Sequence, residues 1–87
     1  MLLHLGGGTT VDSARLILLT DLKRPLHGGT QALVNRLQKQ DRIRRLPGAP
    51  ATLILCEEKG RLYGYVSPIS LRTLRLRAQP PLTCFLP

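Results

Sequence analysis

Arginine is the residue type whose number and spacing in this chain point to a chemical function. Ten of the 13 basic residues are arginines, and they stand against five acidic residues in a chain of 87, which gives a formal net charge of +8. A guanidinium group presents a planar fork of N–H donors that matches the oxygens of a phosphate. An imbalance of this size exceeds what solubility requires and predicts a polyanionic partner such as nucleic acid.

Two segments hold most of this charge. Residues 36–45 contain five cations and one acid, and residues 67–87 contain three cations and no acid, so together they account for +7 of the +8. Because phosphate contacts position a nucleic acid on a protein, we expect both segments to form one contact surface. The predicted contact residues are Arg36, Lys39, Arg42, Arg44, Arg45, Arg72, Arg75 and Arg77.

The residues that enzymes use are sparse. His4 and His27 are the two histidines, and no pattern pairs either with a nucleophile or an orienting carboxylate, as acid–base or covalent catalysis requires. An apolar stretch around His4 suits a core or interface imidazole, and a Gly/Pro-rich loop around His27 suits a solvated one. We therefore expect no enzymatic activity.

Neither a metal nor a cofactor is expected. Cys56 and Cys84 form no C-x-x-C pair, and Cys56 lies in an apolar run that suits a small buried hydrophobe with a reduced thiol. The triplet Gly6-Gly7-Gly8 precedes a strand pattern and lacks a Gly-Lys-Ser/Thr ending. It therefore predicts a tight turn rather than a phosphate loop.

The sequence indicates a cytoplasmic protein that makes no use of a membrane. No signal-peptide pattern opens the chain, and the longest apolar run, residues 16–19, is far shorter than a membrane span. Two reduced cysteines fit a reducing compartment. Residues 70–78 form a basic amphipathic pattern, but it is short and lacks the bulky anchors of a membrane-surface helix.

Aromatic side chains are too few to suggest a platform for unstacked bases. Tyr63, Tyr65 and Phe85 are the three, and the two tyrosines share one face of a strand pattern, which favours a core or interface role. This composition favours duplex DNA over RNA. Two alternatives stay open, namely an RNA-binding protein and a non-enzymatic adaptor or assembly protein with an acidic protein partner.

Hydrophobic periodicity predicts an α+β fold with a mainly antiparallel sheet, one central helix and a short C-terminal helix. The predicted strands are residues 2–5, 9–11, 15–20, 52–56 and 61–66, the last two joined by a four-residue turn at 57–60. Thr30 is the predicted cap of a helix that runs to Gln40, with Leu33, Val34 and Leu37 as its apolar stripe. Ser70 is the predicted cap of residues 71–78.

The chain length fits one domain, residues 1–78, followed by a Pro-rich flexible tail, residues 79–87. A domain of this size buries only about 60% of the surface of its unfolded chain. Since no disulfide or metal is expected, self-association is the remaining means of stabilisation. We therefore predict a homo-oligomer.

Two short blocks of the chain resemble one known family. The first is His4-Leu5-Gly6-Gly7, followed by Val11 and Arg15-Leu16-Ile17, and it resembles the start of the RemA/RemB family of bacterial extracellular-matrix (biofilm) regulators. The second is Ser67-Pro68-Ile69-Ser70 with Thr73-Leu74 and Arg77, which looks like the RemB branch. The resemblance rests on the order and spacing of both blocks and covers residues 1–78.

Membership of this family would imply a cytoplasmic DNA-binding transcriptional regulator that assembles into a ring-like homo-oligomer. RemA-like members activate genes of the extracellular matrix. Arg15 matches an arginine of the family pattern and is added on that ground to the predicted DNA contacts. One difference stands out: where RemA-like members carry an Arg-Arg pair implicated in DNA contact, this chain has Gly48-Ala49, and Arg44-Arg45 is the nearest pair.

Overall fold

The structure, a computed structural model, describes residues 2–78. Within them the fold is α+β, as predicted. Its elements are β1 (Leu2–Gly6), β2 (Thr9–Asp12), β3 (Leu16–Asp21), α1 (Gly28–Lys39), β4 (Ile43–Arg45), β5 (Thr52–Glu58), β6 (Arg61–Ser67) and α2 (Leu71–Ala78), with a 3-10 turn at Ser13–Arg15 between β2 and β3. The predicted tail, with Cys84 and Phe85, lies outside the described residues.

Four strands form the central sheet in the order β3-β5-β6-β4. The pairs β3–β5 and β5–β6 are antiparallel, and β4 joins the edge of β6 in parallel. β1 and β2 form a separate antiparallel hairpin. The three consecutive glycines that join β1 to β2 all have positive φ, so the predicted tight turn is confirmed.

The sheet is covered on both faces, and this explains the uninterrupted apolar run in β5. Leu53 and Leu55 face α1 and pack with Val34 and Leu37, while Ile54 faces the opposite layer. That opposite layer consists of the β1–β2 hairpin, through Leu3 and Leu5, and of α2, through Leu74. The result is a sheet between a helix on one side and a hairpin plus a helix on the other.

Helix α1 confirms the predicted apolar stripe but not the predicted start. Thr30 lies inside the helix, because Gly28 and Gly29 already adopt helical geometry and the N–H of Gln31 donates to the carbonyl of His27 at 2.8 Å. His27 is the N-cap residue and supplies no side-chain hydrogen bond.

Two further sequence predictions need correction. The β5–β6 turn is shorter than predicted, since both strands extend to a two-residue loop in which Lys59 and Gly60 have φ values of 52° and 77°. Positive φ at both positions is the geometry of the tightest hairpin turns. No strand was predicted directly after α1, yet Ile43–Arg45 forms the edge strand β4. Three residues are too few for a recognisable strand period.

A buried pair of hydroxyls ties the central sheet to the hairpin and to the segment before α2. Thr52 and Ser67 are cross-strand partners on β5 and β6, and both are fully buried. The hydroxyl of Ser67 donates to the carbonyl of Leu5 on β1 and accepts the N–H of Ile69 at 3.0 Å. The hydroxyl of Thr52 donates to the carbonyl of Ile69 at 2.7 Å. The hairpin and the segment that leads into α2 are thereby fixed to the central sheet.

Helix α2 begins and ends as predicted. The hydroxyl of Ser70 accepts the N–H of Thr73 at 3.2 Å, which is the N-cap hydrogen bond. Leu74 is fully buried, and Ala78 packs against the same core. Within residues 2–78, no helix combines the length and the apolar character that crossing a membrane requires.

We expect Ser67→Ala to reduce the free energy of unfolding by about 2 kcal/mol or more. The substitution leaves the Leu5 carbonyl and the Ile69 N–H buried without a partner, and each such group costs roughly 1–3 kcal/mol. Ser70→Ala is the matched control, because it removes an exposed capping hydroxyl worth about 1 kcal/mol. Urea denaturation of both variants measures the difference, and an equal loss in the two would contradict the role assigned to Ser67.

Candidate nucleic-acid interface

One edge of the central sheet carries a group of five cations. We call Arg36 and Lys39 of α1, together with Arg42, Arg44 and Arg45, the basic edge. Four of these side chains are exposed, and Arg42 is half-buried. None of the five forms a salt bridge with a described residue. Their charge is therefore available to an external anion.

A left-handed turn after α1 brings the two parts of the basic edge together. Asp41 has a φ of 59°, the N–H of Asp41 donates to the carbonyl of Gln38 at 3.1 Å, and the N–H of Arg42 donates to the carbonyl of Leu37 at 2.9 Å. These two hydrogen bonds define a Schellman motif, in which the left-handed position is usually glycine and sometimes asparagine. The turn redirects the chain from the end of α1 into β4.

Strand β4 lies close against β6 because Gly64 of β6 has no side chain. Ile43 pairs with Gly64, and a Cβ atom added at Gly64 would clash with the Cδ1 atom of Ile43. The N–H of Gly64 donates to the carbonyl of Arg42 at 2.9 Å, and the N–H of Leu46 donates to the carbonyl of Val66 at 2.9 Å. Gly64 thus makes room for Ile43 to anchor the strand that carries the arginines.

The two arginines of β4 point to opposite faces of the sheet, because successive side chains of a strand alternate. Arg44 pairs with Tyr65, which belongs to the core layer beneath the hairpin. Arg45 pairs with Val66, which packs on the side of α1. The basic edge therefore presents positive charge from both faces along one border of the molecule.

The tyrosines next to this border serve the core, as predicted. Tyr65 is 8% exposed, and its hydroxyl donates to a carboxylate oxygen of Glu58 at 3.2 Å. Burial and then the negative charge of Glu58 raise the pKa of Tyr65 to about 12. The half-buried ring of Tyr63 lies 6.0 Å from the guanidinium carbon of Arg42, at the outer limit of a cation–π contact.

The remaining candidates for chemistry are inert or solvated. Cys56 is fully buried, as predicted, and burial followed by the charge of Glu58 raises the pKa of its thiol to about 11. Its thiolate is therefore not formed at neutral pH. His27 is exposed, as predicted. His4 is also exposed, so the prediction of a core position for it was wrong. Its side chain points away from the layer that buries Leu3 and Leu5. Within residues 2–78, no group of three or more His, Cys, Asp or Glu could hold a metal ion.

The arginines of α2 do not join the basic edge, and this corrects the prediction of one shared surface within a subunit. α2 packs against β1 and β3, whereas β4 is the opposite edge strand, three strand spacings or ~14 Å from β3. Arg72 and Arg75 are exposed on that far side. The guanidinium of Arg77 donates to the carbonyl of His4 at 3.1 Å, which fixes α2 to the hairpin.

Arg15 occupies a third location. It ends the 3-10 turn before β3 and lines a shallow cleft with Lys59, next to the β5–β6 turn. Lys23 was not among the predicted contact residues, yet it lies beside Arg72 and Arg75 in a cleft at the end of β3. Its position in a loop nearly 50 residues before α2 gave no sequence signal for this proximity.

The loop at Gly48-Ala49, where the sequence resemblance would predict an Arg-Arg pair, cannot hold an arginine at its first position without strain. Gly48 has a φ of 113°, and a Cβ atom there would lie 2.7 Å from the Cβ of Pro68. Backbone conformation and space both require glycine at this site. Ala49 is exposed and its backbone φ is not positive, so it has no such restriction.

Comparisons with known proteins assign neither a family nor a function to the chain. No model of a known protein family matches the chain, and no curated protein matches it at a significant level. The resemblance described from the two sequence blocks therefore stays a prediction.

Arginine substitutions in this loop should give opposite outcomes at the two adjacent positions. Gly48→Arg should lower the free energy of unfolding by about 1–3 kcal/mol, because any side chain meets Pro68 in a left-handed backbone. Ala49→Arg should leave stability within about 0.5 kcal/mol, as surface substitutions usually do. Thermal unfolding of the two variants measures this, and a stable Gly48→Arg protein would contradict the steric argument.

Proposed function

We propose that the protein binds duplex DNA through phosphate contacts of the basic edge and acts as a transcriptional regulator. The observation that carries the proposal is the basic edge itself, in which the Schellman turn at Asp41 and the docking of β4 bring five cations to one border. Contacts of this kind fix the position of a protein on the duplex without reading its sequence. Base readout is not part of the proposal.

The location of the tyrosines supports duplex over single-stranded nucleic acid. Proteins that bind single strands stack exposed aromatic side chains on the bases. Within residues 2–78 the aromatic residues are Tyr63 and Tyr65, and both are engaged in the core or beneath Arg42. The described part of the chain thus has positive charge that can contact a nucleic-acid backbone, and it has no exposed aromatic ring on which a base could stack.

Self-association is the second part of the proposal. β3 is an edge strand with unpaired backbone groups on one side, and it exposes Ile17 by 60% and Leu18 by 36%. Such an edge is a template for pairing with another copy. Several copies would multiply the contacts of each basic edge and raise the overall affinity. A ring-like form and a role at extracellular-matrix genes are what the RemA/RemB resemblance adds, together with a cytoplasmic location.

Affinity for a duplex should fall steeply with salt. Each neutralised phosphate releases counterions, so five contacts give a slope of log K against log salt concentration of about −4.5 per engaged subunit. Fluorescence anisotropy with a labelled duplex, at several salt concentrations, measures the slope. Arg44→Gln with Arg45→Gln should reduce its magnitude by about 1.8 and weaken binding about tenfold at low salt.

The matched control for that double variant is Lys59→Gln with Arg61→Gln, which removes the same charge from exposed positions in the β5–β6 turn and at the start of β6. It should change the slope little. Equal losses in both double variants would indicate that net charge alone matters and would refute the basic edge as the contact surface. A protein that does not bind the duplex at low salt would refute the function itself.

Ile17→Gln should shift the protein from an oligomer to a monomer, because it removes an apolar side chain from the exposed edge of β3. Light scattering coupled to size exclusion gives the mass of both proteins at micromolar concentration. Gln31→Ala is the control, because it changes an exposed residue of α1 and should leave the mass unchanged. Leu33→Gln would not serve, since Leu33 packs in the core. A monomeric parent protein would overturn this part of the proposal.

A further inference from the structure

A cleft of about 390 Å³ lies between the end of β3 and α2, at the edge of the sheet opposite to the basic edge. Its walls come from Lys23, Ala51 and the first two turns of α2. Pockets that hold small molecules occupy roughly 300–1,000 Å³, so the volume suits a small ligand. The proposed DNA contacts make no use of this cleft.

The charged lining of the cleft is strongly positive. Lys23, Arg72 and Arg75 line it together with one acid, Asp21. The carboxylate of Asp21 is engaged in its own turn, where it accepts the N–H of Lys23 at 2.9 Å. Arg72 and Arg75 are neighbours one turn apart on α2, and like charges in that relation repel unless an anion lies between them. The lining is therefore suited to an anionic group.

The three arginines of α2 differ in what they do. The guanidinium of Arg77 donates to the carbonyl of His4, whereas Arg72 and Arg75 form no hydrogen bond with another described residue. The first turn of α2 carries no acid, so the partial positive charge of the helix start adds to that of Arg72. Two guanidinium groups thus border the cleft with their donors free.

The other part of the lining is apolar. Leu76 is 63% exposed and Leu71 is half-buried, and both line the cleft together with Ala51. An exposed apolar surface next to a positive one matches a molecule with a phosphate at one end and a flat base at the other. We propose that this cleft binds a nucleoside monophosphate, with the phosphate between Lys23, Arg72 and Arg75.

The proposal is tested with the full chain by equilibrium dialysis against AMP, adenosine and inorganic phosphate. AMP should bind most tightly, because it alone engages both parts of the lining. Arg72→Gln with Arg75→Gln should lower the affinity for AMP at least tenfold. Leu76→Ser should lower the affinity for AMP but leave that for inorganic phosphate unchanged.

Two variants already described act as controls. The variant Arg44→Gln with Arg45→Gln should bind AMP normally although its binding to DNA is weakened. A failure of the proposed DNA binding would therefore not count against this site. Lys59→Gln with Arg61→Gln should also bind AMP normally, which separates the cleft from net charge. Circular dichroism verifies that each variant is folded, as expected for exposed side chains.

Two results would overturn the proposal. AMP could fail to bind at millimolar concentration, or it could bind equally well after loss of Arg72 and Arg75. In the first case, weaker duplex binding after loss of these two arginines would make the cleft a contact for backbone phosphate.

Discussion

The positions of the hairpin and of α2 on the central sheet depend on the hydrogen bonds of the Ser67 hydroxyl. It lies at the end of β6 and forms hydrogen bonds with the hairpin on one side and with the segment before α2 on the other. Its cross-strand partner Thr52 holds the same segment through the Ile69 carbonyl. Buried polar groups are costly when unpaired, so these two side chains also specify where the hairpin and α2 lie. Apolar packing alone would allow either to slide over the sheet.

Both blocks that resemble the RemA/RemB family meet at this point. Ser67 contacts the Leu5 carbonyl, Arg77 contacts the His4 carbonyl, and Gly6 lies against Pro68 and Ile69, with 3.5 Å between its ideal Cβ position and the Ile69 side chain. The residues of the two blocks that meet here therefore act in packing. The basic edge lies outside these blocks, and the cleft beside α2 shares only Ser70 with them.

Local patterns in the sequence predicted those elements that local physics determines. The Ser70 cap, the apolar stripe of α1 and the glycine turn of the first hairpin all follow from neighbouring residues, and each is present. The strand β4 was missed because Ile43–Arg45 forms only through pairing with β6, at a distance in the chain that no short window covers. Charge counting found the basic segments but could not place them, since the sheet order puts β4 and α2 at opposite edges.

The two edges of the central sheet are chemically unlike, and this restricts how copies of the chain can associate. Arginines on both faces of β4 repel a second β4, which is a common protection of an edge strand against pairing. The edge of β3 carries apolar side chains instead. Pairing of β3 with β3 is isologous, uses the same patch twice and stops at two copies. Any larger closed assembly needs a second, different patch, and Leu2 on β1, 64% exposed on the hairpin, offers one.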